Sequence, residues 1–131
     1  MPVYSYPYNH QDYEPAMPMV ELALLSRDTE AVAAQVLAIV DSGADATLLP
    51  IESLRAARAR YYRSWQLRGI TGQAIPVDLY AVTLQLGPHV IHGIKAVAGL
   101  KSNEAILGRD VLNQLDLRLI GPAQELSLIH I

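Results

Sequence analysis

Asp41, Ser42 and Gly43 stand between two apolar runs, "VLAIV" before them and "ATLLP" after them. An ionised carboxylate at the end of a buried strand costs several kcal/mol unless it is hydrogen-bonded or used. Three uses compete for Asp41. A helix N-cap is the plainest, but the helix signal starts near Pro50, beyond its reach. A nucleophilic Ser42 is the second, yet the G-x-S-x-G elbow is absent because Val40 and Asp41 precede the serine. The third is acid/base work by two carboxylates, one ionised and one protonated, since like charges about 3 Å apart cannot both ionise. A D-S-G turn suits that chemistry: Gly43 permits close approach, and the Ser42 hydroxyl can brace the loop.

The elements that must hold this turn are mostly β. Two apolar runs, "MVELALLS" and "AVAAQVLAIV", flank the polar "RDTE" and read as a hairpin ending at Asp41. Residues 51–60, opened by Pro50, carry good helix formers and predict a helix of two to three turns. Strand "SWQLR", the turn "GITGQ" and the return strand "AIPVDLYAVTLQLG" form a second hairpin. In the return strand Ile75, Val77 and Leu79 share one face, and from Tyr80 the apolar set moves to the other. A strand that switches its buried face is bent or bulged there, so its first half projects from the body. "HVIHGIKAVAG" and "AILG" read as strands, "RDVLNQL" as a short helix, and "DLRLIGPAQELSLIHI" as a final hairpin about Gly121 and Pro122.

Composition sets the outer bounds. The 131 residues, 51% of them hydrophobic, suffice for one domain with a real core. Residues 1–18, rich in Tyr and Pro, read as an extended or disordered N-terminal arm, and 19–131 as the domain. A net charge of -3 gives no general reason to bind nucleic acid or an anionic membrane. The absence of cysteine excludes disulfides, thiolate catalysis and thiolate metal sites. The N-terminus has neither the basic start nor the apolar stretch of a signal peptide, and no run of residues is long and apolar enough to span a bilayer, so a cytoplasmic protein is expected.

"AIVDSGADATLLP" resembles the active-site loop of the retropepsin-like aspartic proteases, with apolar residues, D-[TS]-G-A and a further apolar run. "AILGRDVLNQL" at 105–115 is similar to the second signature of that family, aliphatics followed by Gly-Arg-Asp and a short helix. "RGITGQ" sits where the family has its Gly-rich flap, which agrees with the projecting hairpin. The likeness covers about residues 19 to 120. It implies a mostly β, single-domain retropepsin-like acid protease fold, a closed β-barrel-like half with two short helices and a flap hairpin. It implies that Asp41 is the catalytic aspartate, that Ser42, Gly43, Asp45 and Arg109 support the loop, and that Gly43 and Asp45 also meet the substrate backbone. Ala44, the flap tip Gly69, Ile70, Thr71 and Gly72, and Ala98, Gly99, Leu100 and Ile106 would contact substrate. A mostly buried Asp45–Arg109 ion pair is expected, with Gly108 behind the turn.

One such aspartate loop per chain carries a consequence of its own. If two carboxylates must share a proton, a second chain supplies the other, with the site on a two-fold axis. The reading is an aspartic endopeptidase acting as a homodimer on peptide or protein substrates, without metal or other cofactor and without nucleic-acid or membrane partners. The alternative is a catalytically silent retropepsin-like domain that binds peptides or only dimerises. Half of the ten basic residues, Arg55, Arg58, Arg60, Arg63 and Arg68, lie in one stretch with Tyr61, Tyr62 and Trp65. They read first as a solvated face, with an RNA or an acidic partner as the other use. His89 and His92 fall on opposite faces of a strand, which argues against a zinc site.

Overall fold

The computed structural model describes residues 3–69, 71–100 and 103–129. Ten strands and two short helices follow in order: β1 (Val3–Pro7), β2 (Met19–Leu25), β3 (Val32–Val40), β4 (Leu48–Pro50), α1 (Ile51–Ala56), β5 (Arg60–Arg68), β6 (Ala74–Leu86), β7 (His89–Gly99), β8 (Ala105–Leu107), α2 (Arg109–Leu112), β9 (Asp116–Ile120) and β10 (Glu125–Ile129). Six strands close a barrel in the order β2, β3, β8, β4, β7, β6, the ring being completed where Ala23, Leu24 and Leu25 pair with Gln85, Leu84 and Thr83. Most pairs are antiparallel. Two are parallel, β3 with β8 and β4 with β7, and they bring the C-terminal ends of β3 and β8 side by side.

The barrel is filled almost entirely by aliphatic side chains, in keeping with a chain that has no Phe. Val20, Leu22 and Leu24 of β2, Leu84 and Leu86 of β6, Leu107 of β8 and Val111 of α2 are all fully buried in one cluster. Each such Leu contributes about 1.5–3 kcal/mol of transfer free energy. Leu126 and Leu128 of β10 belong to the same cluster, so the three-stranded sheet β1-β10-β9 packs onto the barrel. The N-terminal residues 3–7 are therefore extended, pairing with β10 from Val3↔Ile129 to Pro7↔Glu125.

The first helix is shorter than residues 51–60. It stops at Ala56, because Arg58 takes a positive φ of 55° and the chain folds back: Arg58 N–H donates to the Arg55 carbonyl and Ala59 N–H to the Leu54 carbonyl. That bond pair is a Schellman end, here with an arginine where glycine is usual. It frees Arg60 to begin β5, which starts four residues before the "SWQLR" expected from the sequence.

The face switch in β6 is real. Leu79 is buried, then Val82, Leu84 and Leu86, and the β6–β7 register shifts between Val82 and Leu84. Residues 74–78 of β6 have no partner on β7, and β5, at the end of the sheet, pairs only with β6. The β5–β6 hairpin therefore extends beyond the barrel, and its residues 71–76 are all exposed.

Candidate active site

The loop 41–47 is built by continuing one ladder and then breaking it. Asp41 N–H donates to the Leu107 carbonyl at 3.1 Å, adding one rung to the parallel β3–β8 pair. The chain then turns: Gly43 N–H donates to Asp41 Oδ1 at 2.9 Å and Ala44 N–H to the Asp41 carbonyl at 3.2 Å. This Asx-turn orients the carboxylate with its own backbone. A Cβ at Gly43 would lie 3.1 Å from Asp41 Oδ1, so glycine leaves that approach open. Asp41 is half-buried, and Ser42 and Gly43 are exposed.

The segment 107–110 clamps the loop from behind. Gly108 passes so close that a Cβ there would meet the Ala46 carbonyl carbon and oxygen at 2.7 Å and the Ala44 oxygen at 3.1 Å. Arg109 N–H donates to the Ala44 carbonyl at 2.9 Å. Its guanidinium reaches over the loop, donating to the Ser42 carbonyl at 2.7 Å and forming an ion pair with Asp45. The expected Asp45–Arg109 pair is thus present, but it is not buried. Asp45 is 71% and Arg109 42% exposed, because Asp45 projects outward from the turn while Arg109 leaves the start of α2.

The buried anchor is a pair that the sequence reading missed. Thr47, fully buried, donates its N–H and its hydroxyl to Asp110, at 3.1 and 2.7 Å, and its Oγ1 accepts Gly108 N–H at 3.1 Å. Asp110 Oδ1 also accepts Val111 N–H at 2.9 Å. The available signals were a lone hydroxyl inside the apolar run "ATLLP" and an acid in the first turn of the short helix that follows Gly108.

The remaining expected site residues divide into two groups. Ala44 is in the loop itself. Ala98 and Gly99 end β7 beside Leu49 and Pro50 of β4, Leu100 follows them in the open, and Ile106 lies between Ile39 of β3 and Leu48 of β4. These surround the same end of the barrel as Asp41. Gly69, Thr71 and Gly72 sit at the tip of the projecting hairpin, and Ile70 lies outside the described residues. Gly72, at φ +79°, donates its N–H to the Gly69 carbonyl. Among the described residues, the hydrogen bonds of this tip all stay within the hairpin.

The chemistry this geometry permits is narrow. Asp41 is a positioned carboxylate with one oxygen held by an N–H, suited to moving a proton to or from a bound water. Within the chain, Asp45 is committed to Arg109 and Asp110 to Thr47, so neither is free to pair with Asp41. Among the described residues, no three His, Asp or Glu side chains gather as metal ligands.

Comparison with known proteins places this geometry. Residues 14–120 match the family model described as retroviral aspartyl protease. Among solved structures, the chain is similar to a retropepsin-like aspartic protease from Rickettsia conorii, with a TM-score of 0.63 and 15% identity over 97% of this chain and 91% of that one. It is also similar to the EIAV protease complexed with the inhibitor HBY-793, at TM-score 0.59 and 19% identity over 83% and 93% of the two chains. A Simian Foamy Virus protease matches at TM-score 0.52 and 19% identity over 73% and 92%. At such identities the likeness concerns the fold. No curated protein sequence matches.

Proposed function

The chain belongs to the retroviral aspartyl protease family, and from that premise we propose that it is an aspartic endopeptidase whose active unit is a homodimer. The observation that carries the reading is the Asp41 turn: a carboxylate at the end of a barrel strand, oriented by the Gly43 N–H and clamped by Gly108 and Arg109, while the neighbouring carboxylates Asp45 and Asp110 are bonded to Arg109 and Thr47. A two-fold axis beside this loop supplies the second Asp41.

In that dimer the two carboxylates share one proton. A water between them loses a proton to the ionised Asp41 as its oxygen bonds to the peptide carbonyl carbon, and the protonated Asp41 gives its proton to the carbonyl oxygen. A neutral gem-diol results. It collapses as the C–N bond breaks, one gem-diol hydroxyl returning its proton to a carboxylate and the amide nitrogen taking one as it leaves. Water is consumed, an acid and an amine are released, and the pair is left with one shared proton. Ser42 faces the partner loop in this reading, and the hairpin tip from Gly69 to Gly72 closes over the substrate as a flap. Ala98, Gly99, Leu100 and Ile106 give small or aliphatic surroundings to the side chains beside the scissile bond.

Cleavage of a peptide library at about pH 4–6, the acidic range expected of a carboxylate pair, tests the reading. Wild type cuts and Asp41→Asn, an isostere without the carboxylate, does not. A library left intact by a folded, dimeric wild type would favour the silent peptide-binding domain instead.

A further inference from the structure

A cleft of about 530 Å³ opens at the base of the β5–β6 hairpin. Tyr62, Arg63 and Trp65 of β5 and His92 and Lys95 of β7 line it, and it reaches Asp45 of the catalytic loop. Its charge is unbalanced. The Arg63 guanidinium lies 5.7 Å from the Tyr62 ring centroid and the Lys95 ammonium 5.2 Å from the same centroid, so two cations converge on one aromatic ring. Lys95 donates to the Gly93 carbonyl at 3.0 Å, and neither cation has a carboxylate partner among the described residues, as is also true of Arg60, Arg68 and Arg118. Of the two carboxylates that border the cleft, Asp45 is paired with Arg109, while Asp110 keeps its charge with its oxygens bonded to Thr47 and Val111, so the cations still outnumber the unpaired anions.

We propose that this cleft is a specificity subsite for an acidic side chain, an Asp or Glu of an extended polypeptide substrate, bound between Arg63 and Lys95 and floored by Tyr62. This rests on the protease reading and names its substrate class. Asp45 is four residues from Asp41, so the cleft begins within about 14 Å of the catalytic carboxylate along the loop. At about 3.3 Å per residue, an extended substrate enters it about three to five residues from the scissile bond. Because the active dimer is two-fold symmetric, each substrate meets one such cleft on either side of the bond.

The test uses short synthetic peptides with a fixed apolar cleavage site and one Glu walked outward in both directions, each paired with its Gln counterpart. For wild type, kcat/KM for Glu exceeds that for Gln by about fivefold, the factor of an exposed charge pair, at one position on each side. The preference vanishes in R63Q/K95Q, whose melting temperature stays that of wild type because both side chains are exposed. Lys95→Glu inverts it toward Lys. The same peptides are titrated onto the Asp41→Asn chain, where binding alone is read and the same Glu preference is expected. Equal kcat/KM for Glu and Gln at every position, or equal binding of the two by Asp41→Asn, overturns the subsite while leaving the protease reading intact. Absence of all cleavage, with Glu-selective binding that R63Q/K95Q abolishes, overturns the protease reading and upholds the acidic site. Binding of a single-stranded RNA oligonucleotide with no Glu-peptide selectivity overturns the proposal in favour of a nucleic-acid surface.

Discussion

At the scale of single residues, the Asp41 loop is held by close approach and by the buried Thr47–Asp110 bonds more than by its exposed ion pair. Gly108 has backbone atoms of Ala44 and Ala46 where a Cβ would go, and backbone cannot swing aside as a flexible side chain can. Gly108→Ala is therefore expected to lower stability by about 1–3 kcal/mol, the usual range for overpacking, and to displace Asp41, with chemical denaturation and peptide cleavage as the readouts. The Asp45–Arg109 pair behaves differently. Its exposure brings the stability cost of Arg109→Ala down to about 1 kcal/mol or less, in place of the several kcal/mol that a buried pair would lose. The variant still loses the 2.7 Å bond to the Ser42 carbonyl that steadies the turn. Turnover should thus fall by more than stability, and a melting temperature depressed as far as that of Gly108→Ala would contradict the exposed pair.

Among elements, the hairpin and the barrel are separate mechanical units. Residues 74–78 of β6 pair only with β5, and the tip bonds only to itself among the described residues, so the hairpin can move without breaking a barrel rung. If it closes over substrate as proposed, it should open on the microsecond to millisecond scale of lids. Gly72→Ala probes it: at φ +79° an alanine strains the turn, while the space around it is open. The strain is about 1–2 kcal/mol and falls on the tip, so kcat/KM should drop several-fold while the global unfolding midpoint moves little. Equal losses in both would make Gly72 a folding turn. This hairpin was legible from the sequence because a change of parity in β6 leaves a mark in the alternation of its own residues. The ends of α1 and β5 were not, because they depend on Arg58 adopting a left-handed conformation that its residue type does not advertise. Strand β4, three residues long, is too short to carry a period, and only its neighbours β7 and β8 define it. The site divides in the same way. D-S-G and G-R-D are local patterns, whereas Thr47 and Asp110 are 63 positions apart and become partners only when β8 is laid beside β3.

For the whole molecule, the decisive property of the proposed mechanism is that no single chain contains a complete site. Asp41 is half-buried at the surface, and the other carboxylates of its clamp are engaged. If each active centre takes one Asp41 from each of two chains, an Asp41→Asn chain mixed with wild type poisons it, since a mixed dimer holds an amide where a second carboxylate is needed. With random exchange at equal amounts, about one quarter of the dimers are wild-type homodimers, as follows from pairing identical surfaces. Cleavage activity should therefore fall to about one quarter of that of the same total chain as wild type, below the half that simple dilution gives. Chains must first be diluted and reassembled so that exchange is complete, which sedimentation of a size-tagged Asp41→Asn chain can confirm. Activity that tracks the wild-type fraction after full exchange would mean that one chain carries a whole site, and neither the shared proton nor the two-fold axis would survive that result.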